Sequence, residues 1–495
     1  MPASARELDD YRERVDRFSA DLDEEYYLHF AGLKETLDLA PIYDRYADLT
    51  TLEKARSIGE SVNGSNGIRE LWRFSCEGYL GQLTKEYEEK VARLEAELKT
   101  TIDGEEIGYR MIRPAIANAS ERPKRERLER ARNELVEEHL NPIYLEAHAA
   151  VRNAVREFGV PNYFELYKKF GYDLESLAAQ CRAFLDSTEH LHEKIADKLF
   201  RDRVGVPLGE AERWDTPRMM RGTTWDQAFP ADRMIPALRE TLAGLGVHLD
   251  AQENVHLDLE DRPLKDPRAF CAPIEVPGRV MLVIKPIGGP DDWSALFHEA
   301  GHTEHFAHTS ADLAVEDKRL GDNAVTEGWA MLLEHLTDNP GWLNRMLDFP
   351  RANEYAAEGA AILTFFVRRY CAKLLYEIEF HQADDPTTLS PRYVELLGTA
   401  LKIEPSPTDY LWDMDGRYYV HAYLRAWALE AQLSAFLKEK FGRDWYAQRS
   451  AGSLLRELWS EGQRLNADEL LREVTGGSIE MESVAVHVRE ALAAS

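Results

Sequence analysis

His298, Glu299 and His302 stand within the stretch Phe297-His-Glu-Ala-Gly-His302, two histidines four residues apart with an acid beside the first. Four residues is just over one helical turn, so on an α-helix both imidazoles face the same way and can aim a nitrogen at one point. Glu299 falls about 100° around the helix from His298. From there a carboxylate can reach a water on a metal without taking a coordination position, which suits a general base. Two histidines leave a catalytic zinc one protein ligand short. Glu327, 25 residues beyond His302, can supply it, because Asn323-Ala-Val-Thr-Glu-Gly-Trp-Ala-Met-Leu-Leu-Glu334 has the apolar spacing of a second helix able to pack beside the first. One zinc ion per chain, held by His298, His302 and Glu327, is the expectation.

His305, His308, Glu316 and Glu334 compete for the third place. His305 shares a helix with His302, and a single straight helix cannot easily wrap three ligands around one ion, so a supporting or solvated role is expected of it.

The helix carrying these histidines needs a start, and Asp292 followed by Trp293, Ser294 and Leu296 provides one. Ala295-Leu296-Phe297 buries its beginning, and Gly301 weakens the helix at a point where another backbone or a ligand can come close. Upstream, between 247 and 290, short segments bounded by Pro and Gly replace helical periodicity: 256–259, 269–275 and 280–285. A small sheet follows, with 279–285 as the later arm of a hairpin after Pro277-Gly278. From about residue 6 to 200 apolar positions recur at three and four residues, as in Leu71, Trp72, Phe74 and Leu80, and predict packed helices. The run 121–138 alternates in charge and reads as the solvated face of a long helix. The fold class expected is mainly α, with a small β-sheet beside the HExxH helix. An N-terminal helical half, 1–250, and a zinc-binding half, 251–495, are expected within one compact unit.

Composition narrows the field further. Lys and Arg total 60 against 88 Asp and Glu, a net charge of −28 spread along helical stretches. Such a surface is highly soluble and disfavours nucleic acid or anionic membranes as partners, since both require local positive charge. Cys76, Cys181, Cys271 and Cys371 are dispersed without a CxxC pair, so neither a disulfide framework nor a thiolate metal site is expected. The N-terminal residues lack a basic segment followed by an apolar run, and no later stretch approaches a membrane span, so the cytoplasm is the expected location.

Residues 296–302 resemble the zinc helix of the thimet oligopeptidase and oligopeptidase F family, and the interval to Glu327 is similar to that preceding the family's glutamate ligand. Residues 326–334 resemble its second zinc helix, where a glutamate recurs seven residues after the ligand, as Glu334 does. Residues 269–273 followed by 279–285 resemble the edge-strand region before the zinc helix. Gly416-Arg-Tyr-Tyr-Val-His-Ala-Tyr423 resembles the tyrosine-bearing helix of the wider group that includes angiotensin-converting enzyme and thermostable carboxypeptidases. The resemblance covers roughly residues 255–475. Two departures stand out: Met331 occupies a position where relatives often carry a polar residue that orients a ligand, and 406–412 lack the histidine that relatives carry shortly before the tyrosine helix. His421 is the candidate to replace it.

The resemblance implies two helical halves around a deep channel and zinc-dependent hydrolysis of peptide bonds in short, unstructured peptides. Glu299 would remove a proton from water on the metal and later give it to the leaving amine. The strand 279–285 would align an extended peptide by backbone pairing. Charge growing on the carbonyl oxygen needs a donor. Tyr418, following Arg417 as in angiotensin-converting enzyme, Tyr423 and His421 are the candidates, with Tyr419 on the same face as Tyr423. A carboxypeptidase or dipeptidyl carboxypeptidase of the same fold would instead use a cation such as Lys285, Arg417 or Arg425 to bind a terminal carboxylate, although each is expected to be a surface charge. A zinc-bearing peptide-binding protein without catalysis is the remaining alternative.

Overall fold

The computed structural model describes residues 3–62, 64 and 66–493. Helix outweighs strand, 73% to 5%, which places the chain in the mainly-α class with a small sheet. In chain order, the elements needed below begin with α1 (Ala5–Phe30), where Ser4 and Glu7 exchange N-terminal hydrogen bonds in a capping box, and α2 (Asn66–Glu97). The hairpin β1 (Lys99–Ile102) and β2 (Glu105–Gly108) follows, then α3 (Leu174–Val204). The strands β3 (Val255–Asp258), β4 (Phe270–Glu275) and β5 (Arg279–Val283) precede α4 (Pro290–His308) and α5 (Asn323–Glu334). Long helices α6 (Ala352–Gln382) and α7 (Tyr419–Phe441) complete the set.

Two compact units emerge. The first comprises Met1–Gly78, Thr224–Ala357 and Ala422–Ser495, and the second Tyr79–Thr223 and Glu358–His421. Contacts therefore divide the chain elsewhere than at residue 250, and three of the boundaries fall inside α2, α6 and α7. The reason is packing: the N-terminal helix belongs with the sheet. Tyr27 and Ala31 pack against Ala272, Ile274, Met281 and Val283, while Tyr11, Val15 and Phe18 share a core with Leu71 and Val315.

In the first unit, β4 and β5 pair antiparallel as the hairpin expected, and β3 joins β5 in parallel, giving the order β3-β5-β4. The strand 279–285, expected to receive a peptide, is central. Both of its edges are already paired, so it cannot accept another strand. The outer strands are β3 and β4.

The second unit buries charge where the sequence pattern predicts a solvated face. In the helix Arg122–Leu135, Arg125, Glu129 and Arg132 lie on one face and are buried. Arg125 is 2.8 Å from Asp215, Arg132 is 2.7 Å from Asp409, and Arg213 joins Glu129 to Asp409. Alternation of sign along the chain does not reveal which helical face turns inward; acids from 215 and 409 make this face buriable. Apolar clusters flank it, one of them around Ile112, Ile116, Leu128 and Leu140.

Candidate metal centre

Helix α4 starts at Pro290 after Gly289 (φ +89°), a proline position that needs no backbone donor. Asp292 receives the N–H groups of Ile287 and Gly288 at 2.7 and 2.9 Å and ties the incoming loop to the first turn. Trp293, Leu296 and Phe297 are buried, with the Phe297 ring set edge-on to Trp342 at 5.0 Å. Helix α5 is started by Asp322, whose carboxylate accepts the Ala324 N–H and also pairs with Arg425 at 2.6 Å. Arg425 is buried against Asp322 and Asp468 instead of lying at the surface, so its charge braces α5.

Close approach of the two helices depends on Gly301. A Cβ there would lie 2.6 Å from the Trp329 carbonyl oxygen and 2.5 Å from Ala330 Cα. Any side chain would separate the helices, and with them the histidines from Glu327.

The contact brings His298, His302 and Glu327 together, with one ligand atom of each within 4.8 Å of the others, so the group could hold a metal ion. Nε2 of His298 is 3.4 Å from Glu327 Oε2, and Nε2 of His302 is 3.9 Å from the same oxygen. Both Nδ1 atoms face away into the protein. That of His298 is 2.8 Å from Glu334 Oε2, whose other oxygen accepts the Ser294 hydroxyl at 2.7 Å. That of His302 is 2.8 Å from the Thr326 hydroxyl. In a neutral imidazole, Nδ1–H donation to these oxygens leaves Nε2 as the lone-pair nitrogen that a metal ligand requires; on His298, whose Nε2 faces Glu327, a metal would take the place of the Nε2 proton. Met331 is core, and Glu334 and Thr326 are the groups that hydrogen-bond the two Nδ1 atoms.

Electrostatics favour positive charge at this point. Burial works against protonation of His298, but hydrogen bonds to Glu327 and Glu334 more than reverse it and raise its pKa to about 11. Glu334 is held below its usual range despite burial, chiefly by His298. His302 is pushed down to about 4 by burial, so it is the neutral imidazole that binds metals. A site of two imidazoles and a carboxylate, with further acids behind and beside it, fits a divalent cation, and the N,N,O donor set suits zinc.

Glu299 lies next to the ligands, and its Oε2 accepts the Cys271 N–H of β4 at 2.8 Å. Burial pushes its pKa up to about 7, with His298 and the Cys271 N–H pulling the other way. The competing ligands are engaged elsewhere. His305 Nε2 donates to the Gly462 carbonyl at 3.1 Å, His308 Nδ1 lies 2.9 Å from the Glu304 carbonyl, and Glu316 pairs with Arg12 at 2.7 Å.

Of the three donor candidates, two belong to the second unit and one to the first. Tyr418 belongs to the second unit and is fully buried, its ring 5.6 Å from Tyr163, 5.2 Å from Tyr167 and 5.1 Å from His381. It follows Arg417, and both have positive φ, +49° and +64°. His421 is also in the second unit, buried with its ring 4.4 Å from Tyr172. Tyr423 belongs with the metal ligands in the first unit and is half-buried, its ring 6.0 Å from Trp427. Lys285 pairs with Asp261, and Arg417 is exposed.

Two contributors, Thr326 and the Cys271 N–H, are not evident in the sequence pattern. The rule that a ligating histidine needs an acceptor for its second nitrogen points toward residues such as Thr326; a backbone N–H leaves no sequence signal. No family model matches the chain, and no curated protein matches it.

Proposed function

We propose that this chain is a zinc metallopeptidase of the oligopeptidase kind that its zinc-helix motifs resemble. The observation that carries the reading is the convergence of His298, His302 and Glu327, with both Nδ1 atoms held from behind and Glu299 alongside. Zinc held by His298, His302 and Glu327 would supply Lewis acidity, acidifying water and polarising a peptide carbonyl. Glu299 accepts the proton of the attacking water and passes it to the departing amine. The Cys271 N–H keeps its carboxylate turned toward β4. Glu334 and Thr326 orient the two histidines. Tyr423 is the favoured donor to the carbonyl oxygen, because it retains exposed surface and the Tyr418 hydroxyl has none.

Glu299→Gln tests the reading. The variant should retain one zinc per chain and lose about 10²–10⁴-fold in peptide turnover. Turnover near the parent value sinks the assignment; bound zinc with no turnover in the parent protein favours the peptide-binding alternative. Amidated peptides should remain substrates, and their rejection would move the chain to the carboxypeptidases. A stable folded protein should resist cleavage while its short peptides are consumed. The four cysteines are free thiols, as expected in a reducing compartment, and the cytoplasm is the proposed location, to be checked by cell fractionation. Among the described residues no helix is long and apolar enough to cross a membrane.

A further inference from the structure

The outer edge of β4 is unevenly available. In an antiparallel pair, alternate residues turn both their N–H and C=O away from the partner strand. The Cys271 N–H points outward to Glu299, so 271 and 273 are the outward positions of β4, and Ala269 lies just before the strand. Pro273 has no N–H to offer. Its carbonyl accepts Nη2 of Arg319 at 3.0 Å, and the Ile274 carbonyl, turned by the irregular pairing between Pro273 and Glu275, accepts the same nitrogen at 3.3 Å. Arg319 comes from the short turn Glu316–Leu320. Its side chain is 5% exposed and is fixed from the other side by α1, 3.2 Å from Asp23 and 3.5 Å from Asp16. No side chain among the described residues hydrogen-bonds the Cys271 carbonyl or the backbone of Ala269, and both residues keep exposed surface.

We propose that Arg319 is a specificity-determining residue: it closes β4 beyond Cys271 and confines backbone pairing of a bound peptide to the Ala269–Cys271 side of Glu299. The inference rests on the peptidase reading and deepens it. Because Glu299 marks the reacting position, a substrate is held by its backbone on one side of the scissile bond only. An uncapped edge would offer the Pro273 carbonyl to the other side as well. Strand addition gains its affinity from main-chain hydrogen bonds, so each open or closed carbonyl translates into a length dependence.

The test measures peptide affinity on Glu299→Gln protein loaded with zinc, using a fixed tetrapeptide core extended by one or two residues at either end. With Arg319 present, extension at one end should tighten binding by about fivefold per hydrogen bond gained, and extension at the other end should change nothing. Arg319→Met combined with Asp23→Asn, which leaves no unpaired Asp23 charge behind, should make the silent end contribute while the first end is unaffected. Arg319→Lys, which retains a donor at the edge, should keep most of the one-sidedness. Thermal melting and zinc content establish that each variant is folded. Equal gains at both ends with Arg319 present overturn the proposal, as does unchanged one-sidedness in a folded Arg319→Met/Asp23→Asn protein, or absence of peptide binding. Hydrolysis of the same series by protein with Glu299 intact is scored separately: one-sided binding without hydrolysis defeats the peptidase reading alone, and hydrolysis with two-sided binding defeats this inference alone.

Discussion

Helix α4 carries two similar sets of side chains, His298, Glu299 and His302 in its middle and Glu304, His305 and His308 at its end. The first set meets α5, whose Glu327 places an oxygen between the two imidazoles while Glu334 and Thr326 hold them from behind. The second set meets backbone and amide groups. His305 donates to Gly462, Glu304 accepts from Gln252 at 3.0 Å, and the His308 ring leans on Trp459 at 5.4 Å. Both sets are desolvated, yet only the first gathers several carboxylates around its histidines. A histidine–glutamate pattern thus becomes a candidate metal centre through what packs against it, and otherwise becomes hydrogen-bonded core.

Paired substitutions along the helix can break this contrast. The largest effect is expected from His302→Ala, which should reduce bound zinc and peptide turnover to background, whereas His305→Ala should retain one zinc per chain by metal analysis. Loss of zinc from both variants would erase the distinction. Next comes Glu299→Gln, with its loss of about 10²–10⁴ in turnover at constant zinc content. Thr326→Val should then weaken zinc by about 10–100-fold in a chelator competition, with Thr326→Ser restoring it. The smallest effect on activity belongs to Glu304→Gln, which should leave turnover unchanged but alter how stability depends on pH.

That last change has a definite sign. Burial pushes Glu304 up to about 7, from 4.5 in the unfolded chain, so the folded protein holds an extra proton between these values. Its contribution to stability is fully present below about pH 4.5 and is lost as pH rises through 7, an effect on the order of 3 kcal/mol. Glu304→Gln should flatten that decline in denaturant titrations at pH 5 and 7. His305, pushed down to about 3 by burial, acts oppositely, and its contribution is lost as pH falls below about 6.5. Stability that declines equally from pH 5 to 7 with and without Glu304 would show that the second set is not buried as described.

Much of the site is legible in the amino-acid sequence. The four-residue spacing of His298 and His302 follows from helical geometry, and the small sheet shows in the β-branched run 279–285 between turn signals. Strand order is not legible there, because neighbours in a sheet are set by which edges meet in space; the strand expected to take a peptide is the central one. Nor is the inward face of Arg122–Leu135, whose buried arginines depend on the distant acids Asp215 and Asp409. The tyrosine helix shows the same limit. Its sequence offers Tyr418 and Tyr423 on nearly equal terms, and packing buries the first under rings while leaving the second partly exposed.

Sequence by itself determined the donor types, the helical spacing that aligns two of them and the mainly helical class, since these depend on local periodicity and side-chain chemistry. Tertiary structure decided the rest: that Gly301 lets α5 close on α4, that Glu334 and Thr326 hold the two Nδ1 atoms so that both Nε2 atoms face Glu327, and that Arg319 closes β4 beyond Cys271. Each of these joins residues distant in sequence through contacts of a few ångströms, and only the packed chain defines such distances.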